Sequence, residues 1–284
     1  MSKVAVITDS TAYIPDALLE TYHITVTPQV LIWGEETFYD GVDILPNEFY
    51  KRLKTAKTMP TTSQVPIVVM KAEFEKLVES GYDVLGIFLS AKLSGTMQSA
   101  IQALELLPKA ANKIAIVDSN STAMAMGFHV LTAARAAQSG CSLQECQKLA
   151  EEARKHTGVY FVVDTLEFLR RGGRIGGAEA LLGSALNIKP LLELRDGRIE
   201  SVEKVRTKSK AIERMIDRID EDIARRTPLR LATLHANAEA EARMALETIT
   251  LRLQPIETVF ASVSPAIGAH AGPGTIGLAY MAGM

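Results

Sequence analysis

Cysteine is scarce in this sequence: its 284 residues include two, Cys141 and Cys146. They lie five positions apart in a helical pattern, and therefore on different helix faces, which argues against a local disulfide bond. Reduced thiols of this kind are typical of cytoplasmic proteins. Histidine is also sparse, with five residues, and neither residue type shows the paired spacing of a metal site. The sequence therefore predicts no metal and no cofactor.

Long hydrophobic runs and an excess of positive charge are also missing. No segment approaches the roughly 20 apolar residues of a membrane-spanning helix. The apolar run at residues 4–7 is too short for a signal peptide and soon meets Asp9. We therefore expect a cytoplasmic location. The formal net charge is −2 and no basic stripe is present, which argues against nucleic acid as a partner.

The first half of the sequence alternates between strand and helix patterns. Strands are predicted at 3–8, 24–32, 83–89 and 113–117, and helices at 15–22, from 45 onward, from 96 to 107, at 122–139 and at 143–156. The run at 83–89 is almost continuously apolar, as in a strand that is buried on both faces. Such alternation implies right-handed crossovers and a mainly parallel sheet. We expect an α/β domain over residues 1–155.

The second half has a different pattern. Strands are predicted at 159–163, 191–194, 199–205, 229–235 and 257–263, and helices at 208–226 and 239–253. Asp196-Gly197 between two strand patterns is a strong hairpin signal. This mixture predicts an α+β domain with mixed, partly antiparallel pairing over residues 156–284. The chain length agrees with two domains, and we expect a ligand between them.

Small polar residues follow three of the predicted parallel strands, in the segments 9–11, 90–96 and 118–121. In such sheets, ligands lie beyond the carboxyl ends of the strands. In the second segment, a helix is expected to begin near Thr96. Its free backbone N–H groups and its dipole favour a negative group, and Ser94 and Thr96 add hydroxyl donors. A plain helix cap without a ligand fits the same residues.

A second hydroxyl cluster, Pro60-Thr61-Thr62-Ser63-Gln64, precedes this segment in the sequence. Alone it reads as a loop or another helix cap. Beside Ser94 it would give a carboxylate-sized group a few neutral donors. Neutral donors suit an acid that is bound and later released, because no strong ion pair has to be broken.

The run Gly272-Pro273-Gly274-Thr275-Ile276-Gly277 has the spacing of a dinucleotide-binding loop. Its context does not fit, since no strand–helix–strand unit and no acidic residue about 20 positions on can follow it. We interpret it as a tight turn that aims His270 inward. One alternative remains open: Ser94 and His270 could act as nucleophile and base, with Asp9 or Asp118 orienting the histidine, in an esterase or phosphotransferase.

At these segments the sequence resembles the DegV family, and the resemblance extends over essentially the whole chain. Six short motifs occur in the family's order: Thr8-Asp9-Ser10-Thr11-Ala12, Pro60-Thr61-Thr62-Ser63-Gln64, Leu93-Ser94-Gly95-Thr96, Val117-Asp118-Ser119, Phe168-Leu169-Arg170-Arg171-Gly172-Gly173-Arg174-Ile175 and His270-Ala271-Gly272-Pro273-Gly274. Each motif is weak alone, but their shared order is specific.

The resemblance implies a two-domain α/β fold that holds a long-chain fatty acid without chemistry of its own. The carboxylate would lie on Thr62 and Ser94, with His270 supporting the serine. Thr61, Gly95 and Thr96 belong to the same loops and are counted in the expected binding site. The second domain would contribute His270 and the acyl pocket.

The resemblance further implies partners. Arg171 and Arg206 would lie toward the mouth of the site, where an ATP-using fatty acid kinase subunit would receive the carboxylate and make the acyl phosphate. Transient contact with a membrane is left open, as is a regulatory or interaction module. The sequence departs from the family pattern at Ala91, Met97 and Val65, which would alter pocket shape and the loop that carries Thr62.

Overall fold

The computed structural model describes residues 3–183 and 188–284. Within them the strands, in chain order, are β1 Val4–Asp9, β2 Thr25–Thr27, β3 Val30–Trp33, β4 Glu36–Tyr39, β5 Thr61–Ser63, β6 Asp83–Phe88, β7 Ile114–Asp118, β8 Thr157–Val162, β9 Lys189–Arg195, β10 Arg198–Val205, β11 Leu229–His235, β12 Glu257–Val259 and β13 Ile276–Ala282. The α-helices are α1 Asp16–Thr21, α2 Pro46–Leu53, α3 Ile67–Glu79, α4 Thr96–Glu105, α5 Ala123–Gln138, α6 Leu143–Ala153, α7 Glu167–Arg171, α8 Lys208–Ile223, α9 Glu239–Leu253 and α10 Pro265–Ala271.

The predicted parallel sheet is confirmed, with strand order β2-β1-β6-β7 and every pair parallel. Residues 84–88 of β6 are buried, as their continuous apolar run indicates. The three strands β1, β6 and β7 end at the same edge of the sheet. This edge carries the polar segments that the sequence singled out.

The strand predicted at 24–32 is wrong as a single element. The structure has β2 and β3 there, separated by Pro28 and Gln29, because proline cannot donate to a sheet. β3 leaves the parallel sheet and pairs with β4 and β5 in a small antiparallel sheet, order β4-β3-β5. This small sheet carries Thr62 in β5. Neither this sheet nor α3 was predicted.

The second half builds a larger mixed sheet with strand order β10-β9-β8-β13-β11-β12. Its hairpin is confirmed: Asp196 and Gly197 have φ values of 49° and 77°, the positive pair that a tight hairpin turn needs. β12 ends at Val259, earlier than predicted. The central strand β13 pairs antiparallel with β8 and β11 and was not predicted.

Helix α5 connects the two large sheets, since it packs on β1 and on β13. Residues 123–131 of α5 are buried, with Met124, Phe128 and Leu131 fully so, as expected of a helical segment without a solvent face. The division into domains 1–155 and 156–284 falls between α6 and β8 and stays a prediction.

Candidate functional site

Two carboxylates organise the polar edge of the parallel sheet. Asp9 accepts hydrogen bonds from Thr11 N (3.0 Å), from the Thr11 hydroxyl (2.6 Å) and from Leu89 N (2.9 Å). Asp118 accepts from Ala91 N at 3.2 Å and from Asn120 N at 2.8 Å. Both carboxylates therefore hold loops at strand ends. Neither bonds to His270, so the hypothesis that one of them orients this histidine is wrong.

The start of α4 forms the first half of the site. Gly95 is its N-cap residue, and the Ser94 hydroxyl accepts a hydrogen bond from Thr96 N at 3.3 Å. The Thr96 hydroxyl lies 3.1 Å from Ser94 Oγ and accepts a bond from Gln29 Nε2 at 2.9 Å. Ser94 is partly exposed, whereas Thr96 and Gln29 are buried. The partly exposed Ser94 is thus held in position by the buried polar side chains of Thr96 and Gln29.

Strand β5 forms the second half. Side chains alternate along it, so Thr61 and Ser63 are exposed while Thr62 turns inward. Thr62 Oγ1 lies 2.6 Å from Nε2 of His270, near the end of α10. The resemblance implied that the histidine supports Ser94, and this is corrected: the imidazole contacts the threonine. No hydrogen bond between the described residues Ser94 and His270 is present, so the structure does not place a serine–imidazole pair for an esterase.

His270 is held as a neutral imidazole. Burial, together with the nearby charge of Arg174, lowers its pKa to about 4. Its Nδ1 is shielded from solvent and has no hydrogen-bond partner among the described residues. The ring packs against Gly172, where an added Cβ would collide with Nδ1. The glycine turn after α7 therefore makes room for the imidazole.

The turn after α10 is confirmed as tight and close to other backbone and side chains. Gly272 and Gly274 have φ values of 78° and 82°. A Cβ on Gly272 would collide with Phe168, and one on Gly274 with Asp164. Only glycine fits these positions, and the run leads into β13 rather than into a nucleotide-binding helix.

A cavity of about 200 Å³ joins the two halves of the site. An engineered cavity of roughly 150 Å³ holds a benzene molecule, so this one has room for a larger apolar group. Its apolar walls come from the mixed sheet, from the loop after β6 and from helices α5, α7 and α10, and they include Leu89, Ala123, Val159, Phe161, Leu169, Ile199, Leu234, Val263 and Ala266. Its polar lining includes the site residues Thr62, Gln64, Ser94, Gly95, Arg174 and His270, and also Thr11, Tyr13, Gln29, Ser63, Thr122 and Thr275; the part formed by the site residues is called the polar end below.

Arg174 is the one charged side chain among the described residues that line the cavity. Its Nε donates to Leu93 O at 2.9 Å and its Nη1 to Gly172 O at 2.7 Å, which fixes the guanidinium beside the Ser94 loop. The prediction of neutral donors alone is therefore incomplete. Arg171, from the same motif, is exposed and paired with Glu167, and Arg206 is exposed. Neither lines the cavity.

Sequence reasoning missed Gln29, Gln64 and Arg174. Gln29 lies outside the six motifs and Gln64 lies within one, but the roles of both amides depend on contacts with α4 that no sequence pattern shows: Gln64 Nε2 donates to Ser99 Oγ at 3.0 Å. The arginine was visible in the motif, but spacing alone could not separate it from Arg171. Residues 3–183 and 188–284 contain no cluster of His, Cys, Asp and Glu that could hold a metal. Over the same residues, no helix is long and apolar enough to span a bilayer.

Comparisons with known proteins agree on one family. A family model described as an uncharacterised protein family, DegV, matches residues 3–283. A DegV domain-containing protein of Streptomyces coelicolor is 40% identical over 278 residues, covering 97% of each chain. The solved structure described as fatty acid binding of a DegV family protein from Thermus thermophilus has a TM-score of 0.93 at 31% identity, covering 99% of each chain. DegV of Bacillus subtilis, described as a fatty acid binding protein, has a TM-score of 0.90 at 36% identity, covering 99% of this chain and 100% of its own.

Proposed function

The chain belongs to the DegV family, and we propose that it binds a long-chain fatty acid, with the carboxylate at Thr62 and Ser94 and the acyl chain in the cavity. The observation that carries the proposal is a largely apolar cavity whose lining includes both hydroxyl residues of the expected site, Thr62 and Ser94, together with His270. The fatty acid binding described for the Thermus and Bacillus structures supports it.

The protonation state of His270 supports a carboxylate at this end. A neutral imidazole that donates from Nε2 to Thr62 Oγ1 leaves the threonine proton free to point elsewhere. Nδ1 then carries the lone pair, so the buried ring atom without a partner is an acceptor rather than an N–H donor. Thr62 and Ser94 can each donate a hydrogen bond to one carboxylate oxygen. The charge of Arg174 favours the anion over the neutral acid.

The remaining residues of the expected site have secondary roles in this proposal. Gly95 makes room for the Gln64 amide, with which a Cβ at this position would collide. Thr96 orients Ser94 through their hydroxyl contact. The exposed side chain of Thr61 faces away from the cavity, so in this proposal it does not contact the ligand.

The acyl chain supplies most of the affinity. A chain of about 14 to 16 methylenes would contribute about 11 to 13 kcal/mol before costs if all of it were buried, at roughly 0.8 kcal/mol each, and the cavity of about 200 Å³ accounts for part of that length. Ordering the chain and desolvating the carboxylate subtract several kcal/mol, which leaves a micromolar or tighter complex. The hydroxyl groups therefore determine orientation more than strength.

The test is to extract the purified protein with organic solvent and to identify bound lipid by mass spectrometry. We expect a stoichiometric long-chain fatty acid, or uptake of added palmitate after delipidation. Absence of both would refute the proposal.

We further propose that the protein presents the carboxylate to an ATP-using kinase subunit, which forms the acyl phosphate. Arg171 and Arg206 are exposed and would meet that partner. Reversing both charges should reduce acyl phosphate formation by a supplied kinase subunit and leave palmitate binding intact. Arg243→Glu is the matched control, because Arg243 is also exposed and also paired within its helix, with Glu239. Equal losses in the two variants, or loss of binding, would contradict this role.

A cytoplasmic location with transient membrane contact completes the proposal. The location is supported by the two free cysteines, because reduced thiols are typical of cytoplasmic proteins. Transfer of palmitate from vesicles should then accelerate with vesicle concentration, as collision requires. A transfer rate that is independent of vesicle concentration would show that the acid arrives through water.

A further inference from the structure

A buried carboxylate outside the cavity connects three segments of the chain. Asp40, between β4 and α2, is 1% exposed. Its carboxylate accepts hydrogen bonds from Ala266 N at 3.1 Å and from the Ser10 hydroxyl at 2.6 Å, and its own N–H donates to Gln29 O at 2.9 Å. A carboxylate is costly to bury, and these bonds offset the cost only while all three segments stay in place.

The first bond caps α10 from a distant part of the sequence. Ser264, the N-cap residue of α10, makes no side-chain capping bond, and Asp40 accepts from the first turn in its place. Ala266 and His270 are about one helical turn apart, or roughly 6 Å along the axis. Asp40 therefore anchors one end of the helix whose other end places His270 against Thr62.

The second bond leads to the other half of the site. The Ser10 hydroxyl, which donates to Asp40, accepts from Gln29 N at 3.1 Å. The Gln29 side chain in turn donates to the Thr96 hydroxyl at 2.9 Å, and Thr96 contacts Ser94 at 3.1 Å. Gln29 and Thr96 are buried, at 4% and 0% exposure. The hydrogen bonds are thus continuous from the start of α10 to Ser94.

We propose that Asp40, Ser10, Gln29 and Thr96 form a positioning network that sets the distance between the two halves of the carboxylate site. At one end the network fixes Ser94. At the other end it fixes α10, which places His270 against Thr62. Asp40 is the central positioning residue, since among these four described residues it is the one that hydrogen-bonds to α10. This inference rests on the proposed function for its ligand, but the geometry that it concerns exists without one.

Asp40→Asn is the sharpest test, because it preserves shape while replacing one acceptor oxygen with an N–H donor. If the amide oxygen stays on Ala266 N–H, the amide nitrogen faces the Ser10 hydroxyl, which then loses its charged acceptor and must turn its proton away, so the anchor of α10 should weaken. Asp222→Asn is the matched control: Asp222 also accepts hydroxyl bonds, from Tyr160 and Tyr280, but on the face of β8 opposite to the cavity. We expect palmitate to bind at least tenfold more weakly to Asp40→Asn and within twofold of wild type to Asp222→Asn.

A second readout needs no lipid. The His270 imidazole titrates near pH 4 in the anchored site, and NMR of the delipidated protein should show a higher pKa in Asp40→Asn and an unchanged one in Asp222→Asn. Equal palmitate affinity in the two variants, or an unmoved imidazole pKa, would overturn the network. If wild type binds no palmitate, the proposed function fails, while this titration still decides the positioning role.

Two further variants keep the proposal testable if Asp40→Asn does not fold. Ser10→Ala removes one hydroxyl and should change both readouts in the same direction by a smaller amount. Combining it with Gln29→Met should give a less than additive loss of affinity, because both changes interrupt the same connection. Additive losses would refute the network.

Discussion

The two ends of the cavity are built on opposite principles. The polar end is a set of groups already bonded to one another, with Thr62 on His270 and Ser94 on Thr96. The apolar end has no such bonds, and its walls, such as Val159, are ordinary core side chains. A ligand therefore meets hydrogen-bonding groups of fixed orientation at one end, whereas at the other end it makes only non-directional apolar contacts. The difference teaches that the apolar end supplies most of the affinity, whereas the polar end supplies the orientation and a smaller part of the affinity.

The largest expected effect comes from shortening the ligand. Octanoate has eight methylenes fewer than palmitate, which removes about 6 kcal/mol of burial, or roughly 10⁴-fold in Kd. Calorimetric titration of the delipidated protein with both acids measures this difference. A Kd ratio below about tenfold would show that the apolar end contributes little, and the comparison between the ends would fail.

A smaller effect is expected at the polar end. Thr62→Val preserves shape but removes a hydrogen bond to a charged group, worth about 1.5–3 kcal/mol, so palmitate should bind roughly 10- to 100-fold more weakly. Thr61→Val, on the same strand but exposed, is the control and should bind as wild type does. Equal effects of the two changes would mean that β5 acts through its stability alone.

Substitutions at two adjacent glycines distinguish the effect of displacing His270 from the effect of lowering stability. Gly172 has an ordinary φ of −73°, so Gly172→Ala is permitted by the backbone but displaces the imidazole. Gly173 has a φ of 68° and open space around it, so Gly173→Ala costs about 1 kcal/mol of stability without touching the site. We expect several-fold weaker palmitate binding in Gly172→Ala and lower thermal stability in Gly173→Ala. The reverse assignment would contradict the role of Gly172.

The smallest predicted effect is on the pH dependence of folding. His270 has a folded pKa of about 4, below the ordinary value of 6.5, so the unfolded chain binds the proton more readily. Its contribution to stability is complete above pH 6.5 and is lost as the pH falls toward 4. Between pH 7 and 5.5 the free energy of unfolding should fall by about 1 kcal/mol more in wild type than in His270→Gln. Denaturant titrations at both pH values measure this difference, and equal slopes would refute a neutral, buried imidazole.

The sequence predicted those parts of the molecule whose signals are local. Hydrophobic runs identified β1 and β6, and Asp196-Gly197 identified the β9–β10 hairpin. The convergence of polar strand ends followed from the rule for parallel sheets, and it brought Ser94 to the correct edge. The family resemblance added Thr62 and His270.

What escaped prediction depends on contacts between distant segments. β13 is a continuous apolar run of 7 buried residues, which the pattern alone does not distinguish from a buried helix segment, and it is a strand because β8 and β11 pair with it on either side. Asp40 belongs to no motif, and its role exists only once α10 is folded against it. The contact between His270 and Thr62, rather than Ser94, likewise depends on the orientation of α10. Contacts of this kind between residues that are distant in the sequence produce no periodic pattern.

The central position of β13 has a consequence for synthesis on the ribosome. β8 and β11 are translated long before residues 276–282 emerge, and until then each presents an unpaired backbone edge toward the other. Such edges are sites of mispairing and aggregation. The parallel sheet needs only residues up to 118 and can form early, whereas the mixed sheet cannot close until this strand is released. A nascent chain halted before residue 276 should therefore gain protease resistance in its first half only.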